Sequence, residues 1–180
     1  PTDGGNLLFK TVEEKNDFLS KEPLAEKWIR PFSMGEDFIK GQPRFCLWMP
    51  DVESPDFDGL TYVIQRLDKV KNLRLASSKA ATRKKAEIPW RFDKVRDFGD
   101  VYIAIPAVSS ERRKYVPLGF VTNGMIPGNK LYFVSTDSLY IFGVLMSQFH
   151  NAWMRVVAGR LKSDYNYANT IVYNNFIWPG

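Results

Sequence analysis

The stretch Leu131–Gly159, LYFVSTDSLYIFGVLMSQFHNAWMRVVAG, changes its hydrophobic period once and so decides the fold class. Leu131–Val134 (LYFV) is short, apolar and aromatic, the composition of a strand. Asp137 or Ser138 then offers an oxygen that can cap a helix start. Beyond it Leu139, Phe142, Leu145, Met146, Phe149, Trp153 and Val156 recur at helical spacing. This predicts one helix running to about Ala158 with that stripe packed in the core. Gly159 stands where a left-handed residue ends a helix.

Outward from this stretch, strands and helices alternate irregularly. On the C-terminal side, Thr170–Trp178 reads as a strand. On the N-terminal side come strand candidates Val101–Val108 and Tyr115–Thr122, the first carrying Pro106, which predicts an edge or a bulge. Asp58 to about Leu75 predicts a helix, with Leu60, Val63, Ile64, Leu67 and Val70 on one face. Arg44–Met49 reads as a buried strand, and Pro50 and Pro55 punctuate the loop after it. Gly35 and Gly41 bracket a turn region, and Val12–Ser20 and Leu24–Ile29 are short helix candidates, the second stopped by Pro31. The expected fold is α+β (mixed α/β): a twisted mixed sheet packed with two main helices, in one domain over residues 1–180.

Composition narrows the class. Apolar residues make up 44% and charged residues 25% of 180 residues, enough for a real core. The lone cysteine, Cys46, forms no intrachain disulfide, which fits a reducing cytoplasm. With one histidine, His150, a Cys/His zinc site is excluded. No segment has the length of a membrane span and no signal pattern opens the chain, so no membrane partner is expected. The chain starts at Pro1 and stops at Gly180, and is expected to be a piece of a larger protein. Net charge is +5 but polarised. Residues 1–60 hold 7 Lys/Arg against 12 Asp/Glu, a net −5, and residues 61–180 hold 18 against 8, a net +10. A basic remainder of that size points to a polyanion.

Three basic features carry this reading. Arg66 to Lys85 contains 8 basic residues and one acid, Asp68, with Ser77, Ser78 and Thr82 interleaved. Cations and hydroxyls of this kind grip phosphates, here Lys79, Arg83, Lys84 and Lys85, while the alternative is a solvated helix face. Arg112, Arg113 and Lys114 follow Ser109 and Ser110 between two strand candidates; they hold a phosphate or keep a hairpin soluble. The loop Thr122–Lys130 has glycines at 124 and 128 but matches no phosphate-cradling motif. The third feature is Gly159–Pro179, GRLKSDYNYANTIVYNNFIWP. If extended, it sends Lys162 and Asp164 off one face. A cation that only donates and a carboxylate that only accepts mirror the acceptors of G and the donor of C in the major groove. The alternative is that the two pair with each other. Arg160 and Asn166 add groups suited to a groove, and Arg160 is expected on a phosphate. No nucleophile–base set and no paired carboxylates stand out.

Four ordered blocks, WIRPFSMGEDFIKGQPRFCLWMPD, AATRKKAEIPWRF, YIAIPAVSSERRKYVPLGF and VVAGRLKSDYNYANTIVYNNFIWP, resemble the target-recognition region of MmeI-like restriction–modification enzymes. The resemblance covers about residues 28–179. It implies a module that reads double-stranded DNA inside a bacterial polypeptide carrying an adenine-N6 methyltransferase, with an endonuclease part as well. S-adenosylmethionine, and Mg for a nuclease, belong to that parent and not to this piece. The family's Asn-Pro-Pro-Tyr motif is missing here. The resemblance further implies that Lys162 and Asp164, in the GRL-x-x-x-Y block, read a base pair beside the methylated adenine, and that Asn166 and Lys130 read a neighbouring position. The acidic residues 1–60 are expected to dock on the methyltransferase domain or on the C-terminal part of the parent. The rival to DNA reading is an interdomain scaffold; an enzyme acting on RNA or nucleotides is a third class.

Overall fold

The computed structural model describes residues 2–53 and 57–179, so the expected punctuation at Pro55 lies outside them. In chain order the elements are β1 (Leu8–Phe9), α1 (Val12–Lys21), β2 (Ile29–Ser33), α2 (Gly35–Lys40), β3 (Arg44–Leu47), α3 (Thr61–Leu75), α4 (Ala80–Lys84) and β4 (Tyr102–Pro106). They continue with β5 (Val108–Ser109), β6 (Gly119–Val121), β7 (Ile126–Pro127), β8 (Leu131–Val134), α5 (Leu139–Met146), α6 (Gln148–Val157), β9 (Gly159–Leu161) and β10 (Asp164–Asn166). The chain divides into two compact units, residues 1–32 with 43–97, and residues 33–42 with 98–180. The α+β class holds, with the strands distributed over several small sheets. No helix among the described residues is long and apolar enough to cross a membrane.

In the first unit, antiparallel strands run in the order β1–β3–β2. Helix α3 buries Val63, Leu67 and Val70 against Leu7, Phe9, Leu47 and Met49. Ile64, expected on that face, is 40% exposed. No side chain of its own caps α3; instead Glu22 accepts from the amides of Tyr62 and Val63 at 2.7 and 2.9 Å. An anion at a helix start satisfies orphan donors and the helix dipole together. The expected helix at Leu24–Ile29 is a 3-10 turn over Pro23–Trp28.

In the second unit, two antiparallel three-stranded sheets, β6–β4–β8 and β5–β10–β9, share one run of chain. The expected strand Val101–Val108 breaks at Ala107, so β4 feeds the first sheet and β5 the second. The β6 ladder stops at Ala104, so Pro106 has no bond to lose on that side. The region expected as a turn between Gly35 and Gly41 is the short helix α2, ended by Gly41 at φ 63°. The strand expected at Tyr115–Thr122 is confined to Gly119–Val121.

The C-terminal part departs further from the sequence pattern. The helix expected up to Ala158 breaks at Ser147, whose hydroxyl accepts from the His150 amide at 3.1 Å and starts α6. Ser138 caps α5 in the same way, from Ile141. The break resets the helical phase: α6 buries His150, Asn151 and Met154, while Phe149 and Val156, expected in the core, are exposed, as is Leu139 at the start of α5. Gly159 is no left-handed terminator, because Ala158 is already extended (φ −66°, ψ 141°) and leads straight into β9. Thr170–Trp178 is a set of turns and not a strand. Asn169 accepts from the amides of Tyr173 and Asn174, and the Asn175 amide caps the carbonyls of Thr170 and Ile171. Asparagine competes with a sheet ladder by bonding its own backbone. Residues of α5, α6 and this segment, among them Leu139, Phe149, Phe176 and Ile177, line an apolar groove of about 590 Å³.

Candidate nucleic-acid interface

Strands β9 and β10 close a hairpin. Leu161 pairs with Asp164, which leaves Lys162 and Ser163 as a two-residue loop. Such loops need positive φ where the chain reverses, so that its twist matches that of the strands. Lys162 supplies it at φ 57°. The segment is therefore not extended through Lys162, and the common face expected for Lys162 and Asp164 does not arise from strand alternation. Asp164 and Asn166 do share a face, at positions i and i+2 of β10. Opposite Asn166 stands Gly159, where an added Cβ would reach the Asn166 Nδ2 at 4.0 Å. Tyr165 points the other way and is buried among Ile103, Val116, Leu145 and Met154.

Lys130 lies on a second strained turn, at φ 63°, just before β8. Among the described residues, Lys130 and Lys162 are the two non-glycine residues with positive φ. A side chain in that region costs roughly 1–2 kcal/mol. Main-chain bonds hold the two turns in one framework. Ala107 donates to the Lys130 carbonyl at 2.8 Å and accepts from the Tyr167 amide at 2.7 Å, next to β10. Lys130 and Lys162 are exposed, and Asp164 and Asn166 half-buried. Among the described residues, none of these four side chains forms a hydrogen bond or ion pair, and Lys162 and Asp164 do not pair with each other.

The basic triplet lies beside this hairpin. The Ser110 carbonyl and hydroxyl accept from Arg113 and Arg112 and close a turn that leaves Arg112, Arg113 and Lys114 exposed. Arg155 ties that turn down, donating to the carbonyls of Arg113 and Lys114 at 2.9 and 2.8 Å. Arg160, expected on phosphate, sits 3.8 Å above the Tyr165 ring and donates to the Ser163 carbonyl at 2.9 Å.

In the first unit the basic run splits into two kinds of residue. Arg66 bonds the Asn6 and Leu8 carbonyls and Glu14, over the ring of Phe9. Arg74 is fully buried. Neither is available to a ligand. Arg83 donates to the Ser77 and Ser78 carbonyls, and Lys85 pairs with Asp93. Lys79 and Lys84 are exposed, and among the described residues their ammonium groups have no partner. Sequence reasoning missed Arg155, whose role appears only once the hairpin register is known.

The family profile described as MmeI, target recognition domain, matches residues 1–180. The chain belongs to the MmeI target recognition domain family. It is 36% identical over 179 residues to DNA methyltransferase A of Bacillus subtilis (strain 168), covering 99% of this chain and 20% of that protein. The structure of the type IIL restriction–modification enzyme MmeI in complex with DNA superposes with a TM-score of 0.90 at 42% identity, over 100% of this chain and 24% of that one. The chain thus spans a fifth to a quarter of the length of these relatives.

Proposed function

We propose that this chain is the sequence-reading module of a larger restriction–modification enzyme and binds double-stranded DNA. The observation that carries this is the coincidence of the two strained turns with two reader candidates: Lys130 and Lys162 hold unpaired ammonium groups on backbone that costs free energy to maintain. Strain kept at a site marks a constraint other than folding. Membership of a family that includes a DNA-bound enzyme supports the same reading.

In this reading Lys162 donates to N7 and O6 of a guanine, and Asp164 accepts from N4 of the paired cytosine. Asn166 and Lys130 address a neighbouring position. Lys79, Lys84, Arg112, Arg113 and Lys114 neutralise phosphates and fix register, joined by Arg83 and Lys85 with the donors their own contacts leave. The acidic residues 1–60 dock on the methyltransferase domain of the same polypeptide. S-adenosylmethionine would supply the methyl group to an adenine there, and Mg would serve any nuclease. This chain carries no Asn-Pro-Pro-Tyr motif, and its described residues hold no group of three metal-ligating side chains.

The test is the methylated motif of the parent enzyme, read at base resolution. Lys162→Glu with Asp164→Arg should invert one position from G·C to C·G, and Lys162→Ala should cost roughly 1–3 kcal/mol of discrimination there. Lys84→Ala should weaken all sequences alike and flatten the salt slope by about one unit. A motif unchanged in the double variant sinks the reader assignment. Salt-insensitive duplex binding by the parent favours the scaffold instead.

A further inference from the structure

We infer that Arg160 is a positioning residue that locks the Lys162–Ser163 turn, and not a phosphate contact; this rests on the reading of Lys162 and Asp164 as base readers. Arg160 and Tyr165 are directly opposed across β9 and β10, so both leave the face opposite to Asp164 and Asn166. The Arg160 guanidinium carbon lies over Tyr165, 3.8 Å from the ring centroid. From there it donates to the carbonyl of Ser163, the second loop residue, at 2.9 Å. Its remaining charge contact is Glu111 at 3.8 Å, half-exposed and weak. A positive-φ lysine in a loop without glycine needs such an external hold, because its own conformation is disfavoured.

The ring under Arg160 is itself fixed. Tyr165 is 7% exposed, and its hydroxyl accepts from Arg155 at 3.2 Å. Arg155 also holds the Arg113–Lys114 carbonyls. One tyrosine therefore couples the reader turn, through two arginines, to the basic triplet. The planar guanidinium is required for this, since it stacks and donates at once; an ammonium does not replace it.

Arg160→Ala and Arg160→Lys in the parent enzyme separate the two roles, with Lys162→Ala beside them. Positioning predicts that amide exchange over residues 159–167 speeds by about tenfold or more, the equivalent of one charge-assisted hydrogen bond, in both Arg160 variants. It also predicts that the base at the Lys162 position becomes degenerate in both, with the salt slope of binding unchanged. The lysine variant is the fold-safe measurement. A salt slope flattened by about one unit in the alanine variant, restored by lysine, with the motif intact, overturns the proposal in favour of a phosphate contact. If Lys162→Ala leaves the motif intact, the reader assignment has failed. The lock then stands or falls on the exchange of residues 159–167 alone: unchanged exchange overturns it and faster exchange upholds it.

Discussion

Replacing Arg74 with methionine should be the most damaging single change in the first unit. Arg74 is fully buried, and its guanidinium donates to four main-chain carbonyls: Thr2 at 3.2 Å, Lys85 at 2.8 Å, Ile88 at 2.9 Å and Arg91 at 2.7 Å. Three of those acceptors belong to the irregular chain after α4, whose apolar anchors are Ala86, Trp90 and Phe92. Burial pulls the Arg74 pKa down, but a guanidinium stays charged at pH 7 all the same. Methionine fills most of the volume and leaves the carbonyls without donors.

Each part-buried acceptor left unpaired costs up to about 1–3 kcal/mol, while removing a buried cation recovers part of its desolvation penalty. The balance is a loss of roughly 3–5 kcal/mol, against about 5–15 kcal/mol for a whole domain. With a urea slope of about 2 kcal/mol/M, the midpoint should fall by about 2 M. Trp28, Trp48 and Trp90 all lie in this unit, and the Trp90 indole donates to the Val52 carbonyl, so fluorescence follows the transition. Proteolysis should also open the 79–91 segment. A midpoint shift below about 0.5 M would refute the argument, since it would mean that water replaces the guanidinium at little cost.

Three further outcomes follow from buried groups. His150 is fully buried, with Nε2 at 3.1 Å from the Tyr167 hydroxyl and Nδ1 without a hydrogen bond of normal geometry among the described residues. Burial lowers its pKa, partly opposed by the Leu145 carbonyl, so the unfolded chain takes up the proton first. Stability from this group is full above 6.5 and is lost as pH falls from there through the lower folded value; urea midpoints at about pH 7.5 and 5.5 should differ more in the native chain than in His150→Gln. Cys46 is fully buried and its thiol is pushed up by burial, so alkylation should proceed only at the rate of unfolding, and fast labelling of the native protein would contradict this. A Cβ at Gly35 would collide with the Lys130 carbonyl, so Gly35→Ala should cost about 1–3 kcal/mol or more by denaturation, whereas Gly143→Ala, open around its Cβ, should gain up to about 1 kcal/mol.

What could be read from the chain followed the strength of its local signals. Helix α3 and strands β3 and β8 were legible because their apolar period has one interpretation and their neighbours agree with it. The break at Ser147 was not, since a serine inside an apolar stripe looks like any tolerated helix residue until its hydroxyl is seen to cap the next turn. The hairpin was hidden for a related reason. Lys-Ser carries none of the glycine or asparagine that marks a two-residue loop, and the strands are three residues each. Lys162 and Asp164 stood out by their charges, and Asn166 and Lys130 only through the family resemblance. Their geometry, and the difference between a lysine left unpaired and an arginine that holds a carbonyl, required the register.

That difference makes Lys162→Gly more informative than Lys162→Ala. At φ 57° alanine keeps the strain of a left-handed side chain, roughly 1–2 kcal/mol, and glycine removes it. Glycine returns about 0.5–1 kcal/mol of that through the extra freedom of its unfolded chain. Glycine should therefore be more stable than alanine by up to about 1 kcal/mol in urea. Both substitutions delete the ammonium, so both should lose the same base discrimination. A glycine variant that folds more tightly and reads less well is the signature of strain held for recognition. If glycine and alanine are equally stable, the turn is held without strain at Lys162, and the link between its backbone and its function fails.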